Sequence, residues 1–174
     1  MKFTSAFIVA LASLQTATAG PIEAREEYPE VVPGPGLPSL ESLGLTTAQL
    51  YEMPVPEKSA LPSKVRRAGT CGPGSAYTNV NGIIACYNYL NGLGTANCAV
   101  PGKGVTNHMC SSGDAVITGQ SLAGGGTSSY CRDVAAAVLW TINSCTRSDQ
   151  TCAGAQFAGG NGDLSVGAYS AGYA

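Results

Sequence analysis

The positions of the cysteines constrain this chain most, because all seven follow a pair of arginines, Arg66 and Arg67. They are Cys71, Cys86, Cys98, Cys110, Cys131, Cys145 and Cys152. Cysteines gathered in one small region are typical of a secreted domain that disulfide bonds hold together. Three bonds use six of them and leave one thiol. We expect a monomer, although the odd thiol leaves open a bond to a second chain or to a small thiol.

The composition changes at the segment Ser63–Ala68. Before it lie eight of the ten prolines and seven of the eleven acidic residues. The paired arginines resemble the cleavage site of a kexin-type processing protease, and a solvated linker that carries two charges is the simpler alternative. The first residues combine Lys2, an apolar run and Ala17-Thr18-Ala19, which is the pattern of a cleavable secretory signal peptide. We therefore expect a secreted, extracellular protein with a signal peptide at 1–19, a propeptide at 20–67 and a mature domain at 68–174.

Most of the propeptide is expected to be disordered. Pro33-Gly34-Pro35-Gly36 cannot sustain a helix or a central strand, and little apolar surface is present to offset the entropy of the chain. One brief helix is predicted within Leu43–Tyr51, with Thr46 or Thr47 as its N-cap. A spacer is the simplest role for such a segment.

Helical and strand patterns alternate along the mature domain. They predict a helix at Val80–Leu93, strands at Val105–Cys110 and Ala115–Leu122, a helix at Tyr130–Asn143, and a hairpin of Ala155–Ala158 with Leu164–Tyr169. Gly124-Gly125-Gly126 is expected to be a flexible connector, and Ser128 or Ser129 to cap the second helix. This order favours an α+β fold in which the helices cover one face of an antiparallel sheet.

Charge and hydropathy argue against nucleic-acid binding and against a membrane anchor. The mature domain has three basic and four acidic side chains, so it lacks the basic surface of a nucleic-acid-binding protein. No run of about 18 apolar residues follows the signal peptide, which argues against a membrane anchor.

The motifs for chemistry are weak, and we expect a non-enzymatic protein without a metal or an organic cofactor. Gly119-Gln120-Ser121-Leu122-Ala123 is similar to a nucleophile elbow, but a glycine-rich loop follows it and His108 is the only histidine, so a small secreted hydrolase is disfavoured. Asp114 and Asp133 are explained more simply as turn and helix-start residues. The spacing of the last two cysteines does not fit a zinc knuckle.

Several motifs of the mature domain resemble fungal killer toxins of the smut, virus-encoded type, and related secreted cysteine-rich effectors. They are Cys98-Ala99-Val100-Pro101-Gly102, the run from His108 to Val116, Tyr130-Cys131-Arg132-Asp133, Cys152-Ala153-Gly154 and the run from Gly160 to Val166. The resemblance implies a small disulfide-stapled α/β sandwich, with an antiparallel sheet and two helices on one face. It also implies a virulence or toxin function against competing fungal or host plant cells, in some members through interference with calcium uptake. A cell-wall-associated carbohydrate-binding or structural protein is the alternative.

The resemblance also indicates a contact surface. The toxins have a basic residue two positions before the cysteine that matches Cys110, and His108 stands there. With Lys103 in the neighbouring glycine-flanked loop, it forms the predicted binding site for a target-cell surface protein or channel. The toxins are more basic than this chain and have two further cysteines.

The expected disulfide pairing follows partly from the same resemblance. Cys86 and Cys131 are expected to join the two helices, as the family indicates. Cys98 and Cys110 lack their family partners, flank one loop and are expected to pair with each other. Cys71 is left to pair with Cys145 or Cys152.

Overall fold

Strands and helices alternate along the chain, of which the computed structural model describes residues 28–54 and 69–174. In order, the elements are β1 (Val31–Pro33), α1 (Thr47–Glu52), β2 (Thr70–Cys71), β3 (Thr78–Asn79), α2 (Val80–Gly92), β4 (Asn97–Gly102), β5 (Thr106–Ser112), β6 (Ala115–Ser121), β7 (Gly125–Tyr130), α3 (Cys131–Cys145), β8 (Thr151–Cys152), β9 (Gly154–Phe157) and β10 (Leu164–Ser170). Short 3-10 turns lie at Glu41–Leu43 and Gly74–Ala76.

An antiparallel sheet forms the centre of the fold. Within the described ranges it has six strands in the order β1-β5-β6-β10-β9-β2. The β5–β6 hairpin and the β9–β10 hairpin confirm the two predicted strand pairs. Gly113, with φ of 57°, makes the turn of the first hairpin. The pairs β3–β8 and β4–β7 stand apart from this sheet.

Both long helices pack on one face of the sheet, so the α+β sandwich predicted from the sequence is confirmed. Helix α2 lies against β5 and β6, α3 lies against β9 and β10, and the two helices contact each other. Asn79 caps α2, because its side chain accepts a hydrogen bond from the Asn81 backbone N–H at 2.8 Å. The largest fully buried side chains of this layer include Ile83, Tyr89, Leu90, Ile117, Val134, Val138, Leu164 and Val166.

The stretch before α3 is a strand, which corrects two predictions. Gly125 and Gly126 belong to β7 and not to a flexible connector, and β7 pairs with β4 from Asn97 to Gly102. A β-carbon on Gly126 would lie 2.6 Å from the carbonyl oxygen of Val100, so this strand pair requires a glycine there. Ser128 and Ser129 lie within β7. The residue that caps α3 is Tyr130, and it makes no side-chain capping bond.

The prediction that the propeptide is largely disordered is wrong for residues 28–54, which we call the docked segment. Strand β1 joins the central sheet beside β5, and α1 lies against α2. Helix α1 begins after Thr46, which forms a capping box with Gln49, so the predicted helix is confirmed. The physical reason for the error is that Val31 and Leu50, only 2% and 0% exposed, lie in one apolar core with side chains of residues 69–174, which supply burial that the segment lacks by itself.

A close approach of main chains fixes the docked segment at the edge of the sheet. The Gly34 backbone N–H donates a 2.9 Å hydrogen bond to the carbonyl oxygen of Met109. A β-carbon on Gly34 would overlap with the carbonyl oxygen of His108, so the approach needs a glycine. Pro33 ends β1 at the edge of the sheet, where a missing N–H is tolerated.

Three disulfide bonds lie within residues 69–174, and two of them differ from the expected pairing. They are Cys71–Cys145, Cys86–Cys110 and Cys98–Cys131, with Cα–Cα distances of 5.3, 5.7 and 5.0 Å. The first confirms one of the two partners expected for Cys71. The expected bonds Cys86–Cys131 and Cys98–Cys110 are wrong.

The packing of α2 and β7 explains both errors. Helix α2 packs on β5, so Cys86 meets Cys110 on that strand. Strand β7 places the first residue of α3 beside β4, where the Cys131 backbone N–H donates to the carbonyl oxygen of Ala96 at 2.9 Å. Cys98 on β4 is therefore the partner within reach.

Candidate functional site

Lys103 and His108, the predicted binding residues, are both exposed. Lys103 follows β4 and bridges to Ser121, whereas His108 lies on β5 opposite Thr118. Their partners are three residues apart on β6, so the two positions are about 10 Å apart along that strand. The structure thus places both residues beside the same strand, β6. Their role in binding stays a prediction. The predicted processing residues Arg66 and Arg67 lie outside the described residues.

The face of the sheet that the helices leave uncovered is polar. A cleft of about 220 Å³ is lined by Thr106, Thr118, Gln120, Ser165, Gly167, Tyr169, Tyr173 and Ala174. Burial and the neighbouring Tyr173 ring raise the pKa of Tyr169, and the two rings meet edge to face at 5.0 Å. Such hydroxyl and amide groups bind neutral polar ligands by hydrogen bonds. His108 on β5 lies opposite Thr118, which is one of the residues that line this cleft.

A second cleft, of about 290 Å³, lies between β7 and the loop of the β9–β10 hairpin. Tyr130 is 50% exposed at its rim and Asp133 lines it, while the Arg132 guanidinium stands 5.3 Å from the centre of the tyrosine ring. Asn161 fixes the loop by donating to the Thr127 hydroxyl at 2.9 Å. Sequence reasoning missed this cleft because it treated Tyr130 and Asp133 only as helix-start residues.

A third cleft, of about 220 Å³, lies between the docked segment and residues 78–115. The Ser112 hydroxyl donates to the carbonyl oxygen of Pro29 at 2.9 Å and lies 2.6 Å from the Tyr51 hydroxyl. The Tyr51 ring stacks on Tyr28 with 4.6 Å between the ring centres. Asp114, at the β5–β6 turn, also lines the cleft. No sequence signal of the domain alone indicated this contact.

Two side chains of α2 bind the main chain of the docked segment. The Asn88 amide donates to the carbonyl oxygen of Leu50 at 2.8 Å and to that of Met53 at 3.4 Å, where α1 ends. The Tyr89 hydroxyl donates to the carbonyl oxygen of Pro38 at 2.7 Å. Burial raises the pKa of Tyr89 to about 12. The sequence predicts only a helix at these two positions and gives no sign of a binding role.

The residues considered for hydrolysis are not assembled into one site. Ser121 is buried, and its hydroxyl donates to the carbonyl oxygen of Gly125 at 3.1 Å. Strand β7 follows it, whereas a nucleophile elbow needs an immediate helix. Asp114 and Asp133 line different clefts.

Cys152 is the cysteine without a disulfide partner among the described residues. Its thiol is fully buried and contacts the carbonyl oxygen of Thr141 at 3.5 Å, and burial raises the pKa of the thiol. A bond to a second chain would therefore require this part of the core to open.

Two kinds of feature are absent from residues 28–54 and 69–174. Neither range contains three or more His, Cys, Asp or Glu side chains grouped so that they could hold a metal ion. Neither contains a helix with the length and apolar character needed to cross a bilayer.

One known protein family matches the part of the chain that contains the cysteines. A family described as a domain of unknown function, DUF8794, matches residues 66–169, which is more than half of the chain. The chain belongs to this family. The DUF8794 match includes all seven cysteines and begins at Arg66, whereas the docked segment lies outside it. No curated protein and no solved structure matches the chain.

Proposed function

We propose that the chain is a secreted precursor that a kexin-type protease cuts after Arg67, releasing a non-enzymatic toxin or effector domain. One observation carries the proposal: Cys71, four positions after the arginine pair, is bonded to Cys145 in α3. The other two bonds also lie beyond Arg67. A cut there leaves every disulfide intact and every bonded element on one side. The DUF8794 match, which begins at Arg66, supports the same boundary.

The proposed mature domain acts on competing fungal cells or on a host plant cell, in the manner of the killer toxins and effectors that it resembles. Disulfide bonds at both ends of α3 and between α2 and β5 support a domain that persists outside the cell. The exposed pair Lys103 and His108 is the proposed contact with a surface protein or channel of the target cell. More specifically, we propose that this contact interferes with calcium uptake by that cell.

The test applies the cleaved, purified protein to fungal cells and to plant leaves, with and without added calcium. We expect growth arrest or a leaf response that the double change Lys103→Ala with His108→Ala abolishes. Arg132→Ala is the matched control, because it removes a cation that stands over the Tyr130 ring and leaves the Lys103 loop intact. Full activity of the double variant would remove the loop from the mechanism.

The second cleft favours one other function, which is binding to a cell-wall carbohydrate. An exposed aromatic ring beside a carboxylate and amide groups supplies an apolar surface for a sugar ring and hydrogen-bond partners for its hydroxyls. If this function is correct, the protein sediments with chitin or β-glucan, and Tyr130→Phe retains the binding that Tyr130→Ala loses. If the unsubstituted protein does not sediment with chitin or β-glucan, the carbohydrate-binding function is excluded.

A further inference from the structure

The docked segment covers an edge strand of the mature domain. Without β1, β5 would be the outermost strand on its side of the sheet. Val31 pairs with Ser112 and Pro33 with Cys110, so this edge already accepts an extended chain in antiparallel register. An open edge strand is a site where another polypeptide adds as a further strand.

Side chains of the domain bind the main chain of the docked segment. Ser112, Tyr89 and Asn88 each donate a side-chain hydrogen bond to a backbone carbonyl oxygen of the segment, over 2.9, 2.7 and 2.8 Å. Every residue of a polypeptide has a carbonyl group, so these bonds recognise an extended or helical chain and not one particular sequence. Val31 and Leu50 are the two fully buried apolar side chains of the segment, and Leu37, Leu40, Leu45 and Tyr51 pack against the same core.

The segment is held to the domain without a disulfide bond. All seven cysteines follow Arg67, so no disulfide of this chain can retain the docked segment after a cut at that site. Removal of the segment would expose the β5 edge and leave the Asn88 amide without its two carbonyl acceptors. The Asn88 amide, which is buried while the segment is present, would then bond to water or to another polypeptide.

We propose that this surface, formed by the β5 edge with Ser112, Asn88 and Tyr89, is the polypeptide-binding site of the mature domain. The docked segment occupies it in the precursor. After cleavage the site takes a segment of a target protein that adds an extended strand to β5 and places an apolar side chain where Leu50 lies. The inference rests on the proposed maturation, because an uncut chain keeps its own segment in the site.

The occupant is assigned to a target protein from the chemistry of the site. Strand pairing needs an extended backbone, the three donors need carbonyl oxygens, and the two apolar positions need aliphatic side chains. A glycan lacks the spaced amide groups that pair with a strand. A covered edge also protects the precursor from association with other chains before it is secreted.

The experiment begins with the oxidised precursor, cut after Arg67 by a dibasic-specific protease, and passed through size exclusion at nanomolar concentration. Circular dichroism and mass spectrometry check the fold and the three disulfide bonds. A fluorescein-labelled peptide of residues 28–54 is then titrated into the segment-free protein. We expect saturable binding, at least tenfold weaker for the Leu50→Ala peptide and unchanged for the Leu43→Ala peptide. An unlabelled peptide of unrelated sequence with the strand and leucine spacing of the segment should compete, whereas chitin fragments should not.

Each other outcome overturns the inference. A folded, cut protein that does not bind the labelled peptide, or binds the Leu50→Ala peptide equally well, lacks the site. Loss of the native circular dichroism after the cut would make the segment a part of the fold and not a ligand. A segment that stays bound through size exclusion would leave no free site, and dimerisation of the cut protein would assign the edge to a second copy. Failure of the maturation itself is detected separately, by the N-terminal sequence of the naturally secreted protein.

Discussion

The substitution Leu50→Ala measures how much the docked segment contributes to the stability of the uncut chain. The Leu50 side chain is fully buried in the core that α1 shares with α2. Truncation to alanine removes three carbon atoms, each worth about 0.8 kcal/mol when buried. A residual cavity adds to this loss, and a short helix at the periphery relaxes partly into it. The free energy of unfolding should therefore fall by about 2.5–4 kcal/mol.

Leu43→Ala is the matched control, because it makes the same chemical change in the same segment at a side chain that is 39% exposed. Its effect should stay below about 0.5 kcal/mol. Urea unfolding of the uncut, oxidised precursor gives both values. The fluorescence of Trp140, the chain's only tryptophan, reports on the unfolding of residues 69–174, since this ring belongs to α3 and lies beside Gly69. Equal unfolding midpoints for the two variants would refute the coupling of the segment to the domain.

Three further predictions concern Cys152, Tyr89 and the pair Lys103 and His108. Cys152 should resist iodoacetamide in the native protein and react with one equivalent after unfolding without reductant, because burial raises the pKa of its thiol; rapid native alkylation would contradict its burial. The folded pKa of Tyr89, about 12, exceeds its unfolded value of 10.0, so the stability from this group is complete below pH 10 and is lost as the pH rises through 12. Tyr89→Phe should remove one late-titrating phenol from the absorbance at about 295 nm in the precursor. Lys103→Ala with His108→Ala should change the unfolding free energy by less than about 0.5 kcal/mol, measured by thermal unfolding, since both side chains are exposed.

Local patterns predicted the elements whose partners lie nearby in the chain. The helix from Val80 is set by its own apolar repeat and by the Asn79 cap, and both hairpins are set by their turns. Strand β7 escaped prediction because Gly125-Gly126-Thr127-Ser128-Ser129 has weak strand propensity by itself. It forms a strand because β4 offers it a backbone to pair with.

The docked segment was misjudged because its burial is supplied by residues far along the chain. Judged alone, residues 28–54 have too few apolar side chains to offset chain entropy. Their contacts with Ser112, Asn88 and Tyr89 span sequence separations of 83, 38 and 51 residues. The disulfide errors have the same origin, since pairing depends on which faces of α2 and α3 meet the strands.

The candidate site was predictable only in part. The resemblance indicates His108, a basic side chain in a glycine-flanked loop indicates Lys103, and the structure places both on the surface beside β6. The carbonyl-binding groups of α2 left no sequence signal, because a buried asparagine or tyrosine in a helix is also compatible with an ordinary core.

The most direct test of the precursor account is the mass and N-terminal sequence of the protein that a host with a kexin-type protease secretes. The account predicts a protein that begins at Ala68 and contains three disulfide bonds and one thiol. The variant Arg66→Ala with Arg67→Ala should be secreted as the longer form that begins at Gly20, with the docked segment retained. A parent protein that is itself secreted with Gly20 as its first residue would contradict the account.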